Sequence, residues 1–146
     1  MTIHTATLQD LDKLSPLFDA YRIFYKQESN LKAARDFLEL RLKNKESVIF
    51  LAVSEKGIPL GFTQLYPSFS SVSMKQTFIL NDLYVVSEGR NKGVGKTLLN
   101  HAKEFAVKKN AKGLTLETEK NNPAQFLYEK NGWKKDTSLH YYWTLN

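Results

Sequence analysis

The sequence predicts an α/β fold in which one mixed sheet carries helices on both faces. Two observations support this prediction. Some segments place apolar residues every three or four positions, as amphipathic helices do, whereas others are short apolar runs rich in β-branched residues, as buried strands are. These segments alternate over 146 residues without repeats or a Pro- and Gly-rich linker. We therefore expect one domain spanning residues 1–146, with the element order β-α-α-β-β-β-α-β-α-β-β.

The first third of the chain predicts one strand and two helices. Residues 2–7 alternate in polarity as a strand does, and a capping-box pattern at Thr7 begins a helix. Apolar residues then recur at helical spacing as far as Tyr25. Asn30 is a suitable N-cap for a second helix, which we expect to end near Leu42.

The rest of the chain alternates between the strand and helix periods. Turn residues and glycines separate the predicted elements. These elements are strands at 48–53, 60–66 and 77–86, a polar loop at 68–75, a glycine-bearing loop at 87–93, a helix from there to 110, a strand at 113–118, a short helix at 122–132, and closing strands at 133 and 141–143.

Composition excludes several classes of protein. The chain has no cysteine, which excludes disulfides and thiolate catalysis, and its three histidines share no metal-ligand spacing, so we expect no metal. No run approaches the roughly 18 apolar residues of a membrane span, so we expect no membrane partner. Residues 1–4 do not begin a secretory signal, and we expect a cytoplasmic protein.

The positive charge is concentrated in the second half of the chain. Residues 76–146 contain 11 Lys and Arg against 7 Asp and Glu, whereas residues 1–75 contain 10 against 8. An anionic partner is therefore expected in the second half, although a solvated basic surface explains the charge alone equally well. Nucleic acid is not expected, because no basic cluster is interleaved with aromatic residues.

The segment 90–97 lies between a predicted strand and a predicted helix. Its glycines allow backbone N–H groups to face one anion, and the helix N-terminus adds its positive dipole end. Three basic side chains add fixed charge, so the segment is suited to pyrophosphate. The expected pyrophosphate-binding residues are Arg90, Asn91, Lys92, Gly93, Val94, Gly95, Lys96 and Thr97.

Two phosphate-binding patterns compete for this segment. A Walker A loop would need a glycine at Arg90, and Gly89 is one position too early. A nucleotide-binding protein is therefore the weaker alternative. Arg90, Gly93 and Gly95 fill the pattern Arg/Gln-x-x-Gly-x-Gly/Ala instead. In these residues the chain resembles the GNAT family of N-acetyltransferases, whose loop of this form holds the CoA pyrophosphate.

The resemblance extends over essentially the whole chain. Residues 121–133 resemble the family block N-x-x-A-x-x-L-Y-x-K-x-G-F, with Trp133 in place of Phe. Asn91 stands where the family usually has Gly, and Asn tolerates left-handed backbone geometry. Within the family, the stretch 61–85 most resembles the polyamine and histone-type small-amine acetyltransferases.

The resemblance implies an acetyl-CoA-dependent N-acetyltransferase with a splayed central sheet. It implies a small-molecule or peptide amine as the acceptor, no metal, and a homodimer. The alternative is an acyl-CoA-binding domain that senses the ligand without catalysis. Outside the phosphate loop, the implied CoA-binding residues are Leu83, Tyr84, Val85, Asn121 and Lys130.

The resemblance also implies a catalytic acid. Tyr128 matches the family tyrosine that faces the CoA sulfur, and a phenol of pKa about 10 can protonate a departing thiolate. The alternative is that Tyr128 packs with Leu127 in a core.

The base is less directly indicated. Asn81 stands where some relatives carry Glu, and Asp82 faces the opposite side of a regular strand unless a bulge redirects it. We expect a proton to leave through ordered water toward Asp82 or another residue; the alternative for Asp82 is a strand-end acid that is hydrogen-bonded locally. The acceptor-site residues that the resemblance implies are Tyr25, Glu28 and Asn81, and for Tyr25 the alternative is packing in the core.

Overall fold

The structure, a computed structural model, describes residues 1–145, and Asn146, the last residue of the predicted domain, lies outside the described residues. Within that range one sheet has the strand order β1-β2-β3-β4-β5. The elements are β1 Thr2–Thr5, α1 Leu11–Phe24, α2 Leu31–Lys43, β2 Val48–Val53, β3 Pro59–Ser70, β4 Lys75–Val85, α3 Val94–Lys108, β5 Leu114–Thr115 and α4 Ala124–Lys130. None of the helices in residues 1–145 is long and apolar enough to cross a membrane.

Helices cover both faces of the sheet, as predicted. Strand β2 shows the division, because successive side chains of a strand point to opposite faces. Ile49 and Leu51 lie in the cluster beneath α1 and α2, whereas Phe50 and Ala52 lie in the cluster beneath α3. A strand buried on both faces reads as a continuous apolar run, and all but the first residue of β2 are buried.

The predicted helix starts are confirmed. Thr7 forms the capping box of a short 3-10 helix, Leu8–Asp10, that runs directly into α1. Its hydroxyl accepts from the Gln9 N–H at 3.3 Å, and its own N–H donates to Asp10 at 2.8 Å. Asn30 caps α2 by accepting from the Ala33 N–H at 3.1 Å. Each cap satisfies a donor that a helix start otherwise leaves unpaired.

The predicted bounds of the loop at 68–75 are wrong, because the turn is confined to residues 71–74. Strand β3 continues to Ser70 and β4 begins at Lys75, and these two residues pair with each other at the end of a hairpin. The polar side chains that suggested a loop stand on an exposed two-stranded arm. An antiparallel pair can face water and still form its main-chain ladder, so polarity alone did not mark the end of the strands.

The predicted C-terminal strands are also wrong. The strand at 113–118 shrinks to Leu114–Thr115, and within residues 1–145 no strand forms at 133 or at 141–143. Tyr141, Tyr142 and Trp143 are 90%, 75% and 84% exposed. Aromatic residues favour strands where they pack on a half-buried sheet surface, and no such surface meets these rings.

A β-bulge at Asn81 changes the course of β4. Gln64 of β3 pairs with Asp82, but the next residue, Leu65, pairs with Leu80, so Asn81 is the extra residue. Leu80 packs beneath α3 before the bulge, and Leu83 packs there after it. Asp82 is thereby turned toward α1 and α2, which is the redirection that a bulge was expected to produce.

Beyond the bulge, β4 has an open edge. Strand β5 pairs with it only through Phe78 and Ile79. The Val86 N–H bonds the Leu60 carbonyl at 2.9 Å, on the β3 side. Main-chain groups alternate in direction along a strand, so those of Leu83 and Val85 face the side where β5 has already ended. This is the predicted splay of the sheet.

A buried carboxylate holds the connection between α1 and α2. Asp19 is 8% exposed, and it accepts hydrogen bonds from the Ser29 hydroxyl at 2.6 Å and the Asn30 N–H at 2.8 Å. The hydrogen bond from Ser29, and then that from Asn30, lowers the pKa of Asp19. The carboxylate therefore fixes the start of α2 against the middle of α1.

We predict that Asp19→Asn destabilises the protein at neutral pH by about 1.5–3 kcal/mol, since a hydrogen bond to a charged group is lost. The folded-state pKa of Asp19 lies below its unfolded value. Its contribution is therefore complete above the unfolded pKa, near 3.9, and is lost as the pH falls through the folded pKa. Urea unfolding should show a gap between variant and wild type at pH 7 that narrows toward pH 3. Asp36→Asn, in an exposed ion pair on α2, should leave the free energy of unfolding nearly unchanged at both pH values.

Candidate active site

The phosphate loop ends in a glycine with a left-handed backbone. Gly93 is the N-cap of α3 and has φ of +80°, a conformation that glycine adopts without a Cβ penalty. The Thr97 N–H bonds the Gly93 carbonyl at 3.0 Å, and the Thr97 hydroxyl donates to the same oxygen at 2.8 Å. The N–H groups between these residues belong to the first turn, where a helix has no acceptor of its own.

Two further loop residues determine how closely the backbone packs. Asn91 has φ of +61°, so the residue that replaces the family glycine takes the left-handed geometry that Asn tolerates. A Cβ on Gly95 would lie 3.1 Å from Leu127 and 3.8 Å from Val85, so a glycine lets α3 approach α4 and β4. By contrast, nothing lies within 4 Å of a Cβ added to Gly93. The space in front of the helix start is therefore open, and it fits a pyrophosphate.

The three basic residues of the loop have different surroundings. The Arg90 Nε donates to the Val85 carbonyl at 3.0 Å, and its guanidinium lies 5.9 Å from the centre of the Tyr84 ring. Arg90 thus fastens the loop to the end of β4. Lys92 and Lys96 are exposed beside the start of α3 and are available to an anion.

Tyr128 lies on α4 and is half-buried. Its ring packs against Trp133, with the ring centres 6.2 Å apart, and it contacts the cluster beneath α3. Burial, and then the neighbouring Tyr25, raises the pKa of Tyr128 above its ordinary value. The phenol therefore keeps its proton at neutral pH, as an acid must.

Asp82 is a buried carboxylate, 2% exposed. It accepts hydrogen bonds from the Gln64 side chain at 2.5 Å and the Asn81 side chain at 2.7 Å. The Tyr21 hydroxyl, which donates to the Asn81 carbonyl at 3.3 Å, lies beside it. Burial raises the pKa of Asp82, and the hydrogen bonds from Asn81 and Gln64, together with the adjacent Tyr21 hydroxyl, partly offset the rise.

A cavity of about 370 Å³ opens above Asp82, between α1, α2 and the β3–β4 pair. Its walls are largely aromatic. The lining residues are Phe18, Tyr21, Arg22, Ala33, Ala34, Phe37, Tyr66, Asn81 and Asp82. Burial, and then the nearby Asp82, raises the pKa of Tyr66 to about 12, so this phenol stays neutral. We call this space the aromatic cavity.

Tyr25 lies near Asp82 but lines a different cavity. Burial, and then the carboxylates of Glu119 and Asp82, raises its pKa. It lines a second cavity of about 290 Å³. The other residues lining that cavity are Phe24, Lys26, Glu119, Asn121 and Asn122.

The predicted site residues are brought together only in part. Asn81 and Asp82 line the aromatic cavity, whereas Tyr25 and Asn121 line the second cavity. The Glu28 side chain is exposed and lines neither cavity, although its carbonyl accepts from Arg22. Lys130 is exposed at the end of α4. The roles assigned to these residues stay predictions.

Sequence reasoning missed three residues of this region: Gln64, Tyr66 and Glu119. Gln64 offered a signal, because an amide in the apolar run 60–66 has to find a buried partner. That partner, Asp82, depends on the register of β3 against β4. Glu119 gave no local signal, since it follows the short β5 in irregular chain.

Sequence comparisons identify relatives over nearly the full length. The model of the acetyltransferase (GNAT) family matches residues 13–133. YhfO, an uncharacterized N-acetyltransferase of Bacillus subtilis (strain 168), is 52% identical over 143 residues, which are 97% of this chain and 95% of that protein. A probable acetyltransferase of Haemophilus influenzae is 30% identical over 134 residues, 92% of this chain and 90% of that protein.

Structural comparison leads to the same family. A crystal structure of a probable acetyltransferase matches with a TM-score of 0.92 and 47% sequence identity, over 100% of this chain and 97% of that one. The fold shared with that structure agrees with the sequence matches. The chain therefore belongs to the GNAT family and is an N-acetyltransferase.

Proposed function

We propose that the protein transfers an acetyl group from acetyl-CoA to the primary amine of a small molecule or peptide. The observation that supports this most strongly is the open edge of β4 next to the glycine-bounded start of α3. An extended thioester ligand needs main-chain partners along its length and an anion site at one end. The open edge of β4 would supply the main-chain partners, and the adjacent start of α3 would supply the anion site.

The chain's own groups suit acetyl-CoA, which supplies the activated acetyl group when bound. The first-turn N–H groups of α3, with Lys92 and Lys96, would hold the pyrophosphate. The main-chain groups of Leu83 and Val85 would pair with the pantetheine arm, although the Val85 carbonyl already accepts from Arg90. Asn121 and Lys130, before and at the end of α4, are proposed to contact the CoA as well.

Acetyl transfer takes two protons from the amine nitrogen and gives one to the sulfur. A lysine-like amine has a pKa of about 10.4, so it must lose a proton before its nitrogen can attack. Asp82 is proposed to receive that proton through ordered water. As the new C–N bond forms and the C–S bond breaks, Tyr128 is proposed to donate its proton to the departing thiolate. The nitrogen then loses its second proton, which restores the Tyr128 phenol, and the products are an acetamide and free CoA thiol.

We also propose a cytoplasmic homodimer. The exposed aromatic side chains at 141–143 support dimer formation, because an apolar segment exposed on a protein surface commonly marks an interface. Light scattering of the purified chain tests this part of the proposal directly.

The phosphate loop is tested by thermal unfolding with acetyl-CoA. A ligand at 100 times its dissociation constant adds about 2.7 kcal/mol of stability, so the unfolding temperature should rise. Gly93→Trp should abolish the rise. Gly57→Trp is the matched control, because Gly57 also has a positive φ, of +77°, and open space around it. This control should be strained to the same degree and still respond.

ATP separates this proposal from a nucleotide-binding protein. Stabilisation by acetyl-CoA and not by ATP is expected. Stabilisation by ATP alone, or by neither ligand, would contradict acetyl-CoA binding.

The acid is tested with Tyr128→Phe, which removes only the hydroxyl. We expect kcat to fall by roughly 10²–10⁴-fold, as for the loss of a general acid, with little change in acetyl-CoA affinity. Burial and the nearby Tyr25, not a hydrogen bond to a group within residues 1–145, set the pKa of Tyr128, so removal of its hydroxyl should leave stability nearly unchanged. Tyr141→Phe, on a side chain 90% exposed, is the control. Binding of acetyl-CoA by wild type without acetylation of any amine would favour the acyl-CoA sensor.

The base is tested through the pH dependence of kcat. Asp82 accepts a proton only when ionised, and burial raises its pKa. Activity should therefore decline on acidification at a pH above the ordinary aspartate value of about 3.9. The raised pKa of Tyr128 predicts no loss of the acid below about pH 10. Asp82→Asn should lower kcat and remove the acid limb, whereas an unchanged profile would eliminate Asp82 as the base.

A further inference from the structure

The aromatic cavity is suited to an apolar body. Phe18 stacks on Phe37 with ring centres 5.6 Å apart, and Phe18 and Tyr21 are 6.1 Å apart. The raised pKa values of Tyr21 and Tyr66 keep both phenols neutral. A volume of about 370 Å³ is near the lower end for small-molecule pockets, which run from roughly 300 to 1,000 Å³. The cavity therefore fits a small, largely apolar acceptor.

One negative group lies at the floor of the cavity. Asp82 is the only Asp or Glu among the residues that line it in the described part of the chain. A buried carboxylate attracts one ammonium strongly, and the aromatic faces around it add cation–π attraction. A single carboxylate balances a single amine.

The rim of the cavity carries positive charge. Arg22 lines it, and the Arg22 Nη1 donates to the Glu28 carbonyl at 3.3 Å. A guanidinium has five N–H donors, so others are free to bind a ligand. The Asp19 carboxylate also interacts with the charge of Arg22, which reduces its effect, but its two oxygens already accept from Ser29 and Asn30.

A second guanidinium adds to the positive charge near the aromatic cavity. Arg41 lies over the Phe37 ring at 4.4 Å, and its charge acts on Tyr66. Arg41 also pairs with Glu46 at 3.1 Å, which reduces but does not reverse its effect. A second ammonium on the acceptor would therefore meet like charge, whereas a carboxylate would meet a guanidinium that binds it in bidentate geometry.

We propose that the acceptor is a small zwitterion of the amino-acid type, with its amine at Asp82, an apolar or aromatic body in the aromatic cavity, and its carboxylate at Arg22. This inference rests on the proposed acetyl transfer and names its substrate class. The amine gives one proton to Asp82 through ordered water, and its nitrogen forms the new bond to the acetyl carbon. The thiolate leaves with the proton of Tyr128, and the second proton of the nitrogen restores the Tyr128 phenol. The class differs from the polyamines suggested by resemblance.

Matched acceptors test the proposal. The purified full chain is assayed with acetyl-CoA and phenylalanine, phenethylamine, glycine or spermidine, and CoA thiol release is measured. Phenethylamine lacks only the carboxylate, glycine lacks the aromatic body, and spermidine has additional ammonium groups. We expect kcat/KM for phenylalanine to exceed that of each of the others by at least about tenfold, as a single charge-assisted hydrogen bond can supply.

A variant assigns the preference to one side chain. Arg22→Gln should reduce the ratio of kcat/KM for phenylalanine to that for phenethylamine to near one, chiefly by raising KM for phenylalanine. Arg22→Lys should retain part of the ratio. Because both substrates are measured on the same preparation, partial unfolding cancels from the ratio. Arg35→Gln, on exposed α2 surface outside the cavity, should leave the ratio unchanged.

The outcomes separate this inference from the proposed function. A preference for phenethylamine, glycine or spermidine, or an unchanged ratio in Arg22→Gln, overturns the zwitterionic acceptor and leaves acetyl transfer standing. Stabilisation by acetyl-CoA with none of the four acceptors used also overturns this substrate class. Absence of any acetyl-CoA stabilisation overturns the proposed function, and the acceptor assignment with it.

Discussion

The bulge at Asn81 is the constraint on which the site depends. The directions of side chains and main-chain groups both alternate along a strand. One extra residue therefore turns every later side chain to the opposite face and every later main-chain group to the opposite edge. Here the bulge turns Asp82 from the α3 face to the aromatic cavity. It also directs the main-chain groups of Leu83 and Val85 to the open edge of β4. A regular strand would bury Asp82 beneath α3 among apolar side chains.

The early end of β5 turns this edge into a site. Strand β5 consists of Leu114 and Thr115, which pair with Phe78 and Ile79 of β4, so β5 ends just before the bulge reorients β4. Gly95 keeps α3 close to Leu127 of α4, while Gly93 leaves the helix start open. The anion site and the free edge are therefore held by one packing arrangement, and a side chain at either glycine would disturb one of them.

Local signals in the sequence predicted much of this arrangement. The caps at Thr7 and Asn30, the helix start after Gly93 and the left-handed Asn91 all follow from properties of a few adjacent residues. The partnership of Gln64 with Asp82 did not, because it depends on strand register across 18 residues. The strands expected at 141–143 failed for a related reason, since β-propensity expresses itself only against a surface to pack on.

Burial of Asp82 links the proposed proton transfer to the choice of acceptor. Desolvation raises the pKa of the carboxyl and also lowers the pKa of an amine that moves from water into the cavity, whereas the attraction between the two charges acts in the opposite direction. Desolvation thus brings the two pKa values closer together, which favours proton transfer between the groups. Among the described residues that line the cavity, no second carboxylate balances a second ammonium. The site is therefore poorly suited to a polycation, and the guanidinium of Arg22 extends that discrimination to the carboxylate of the acceptor.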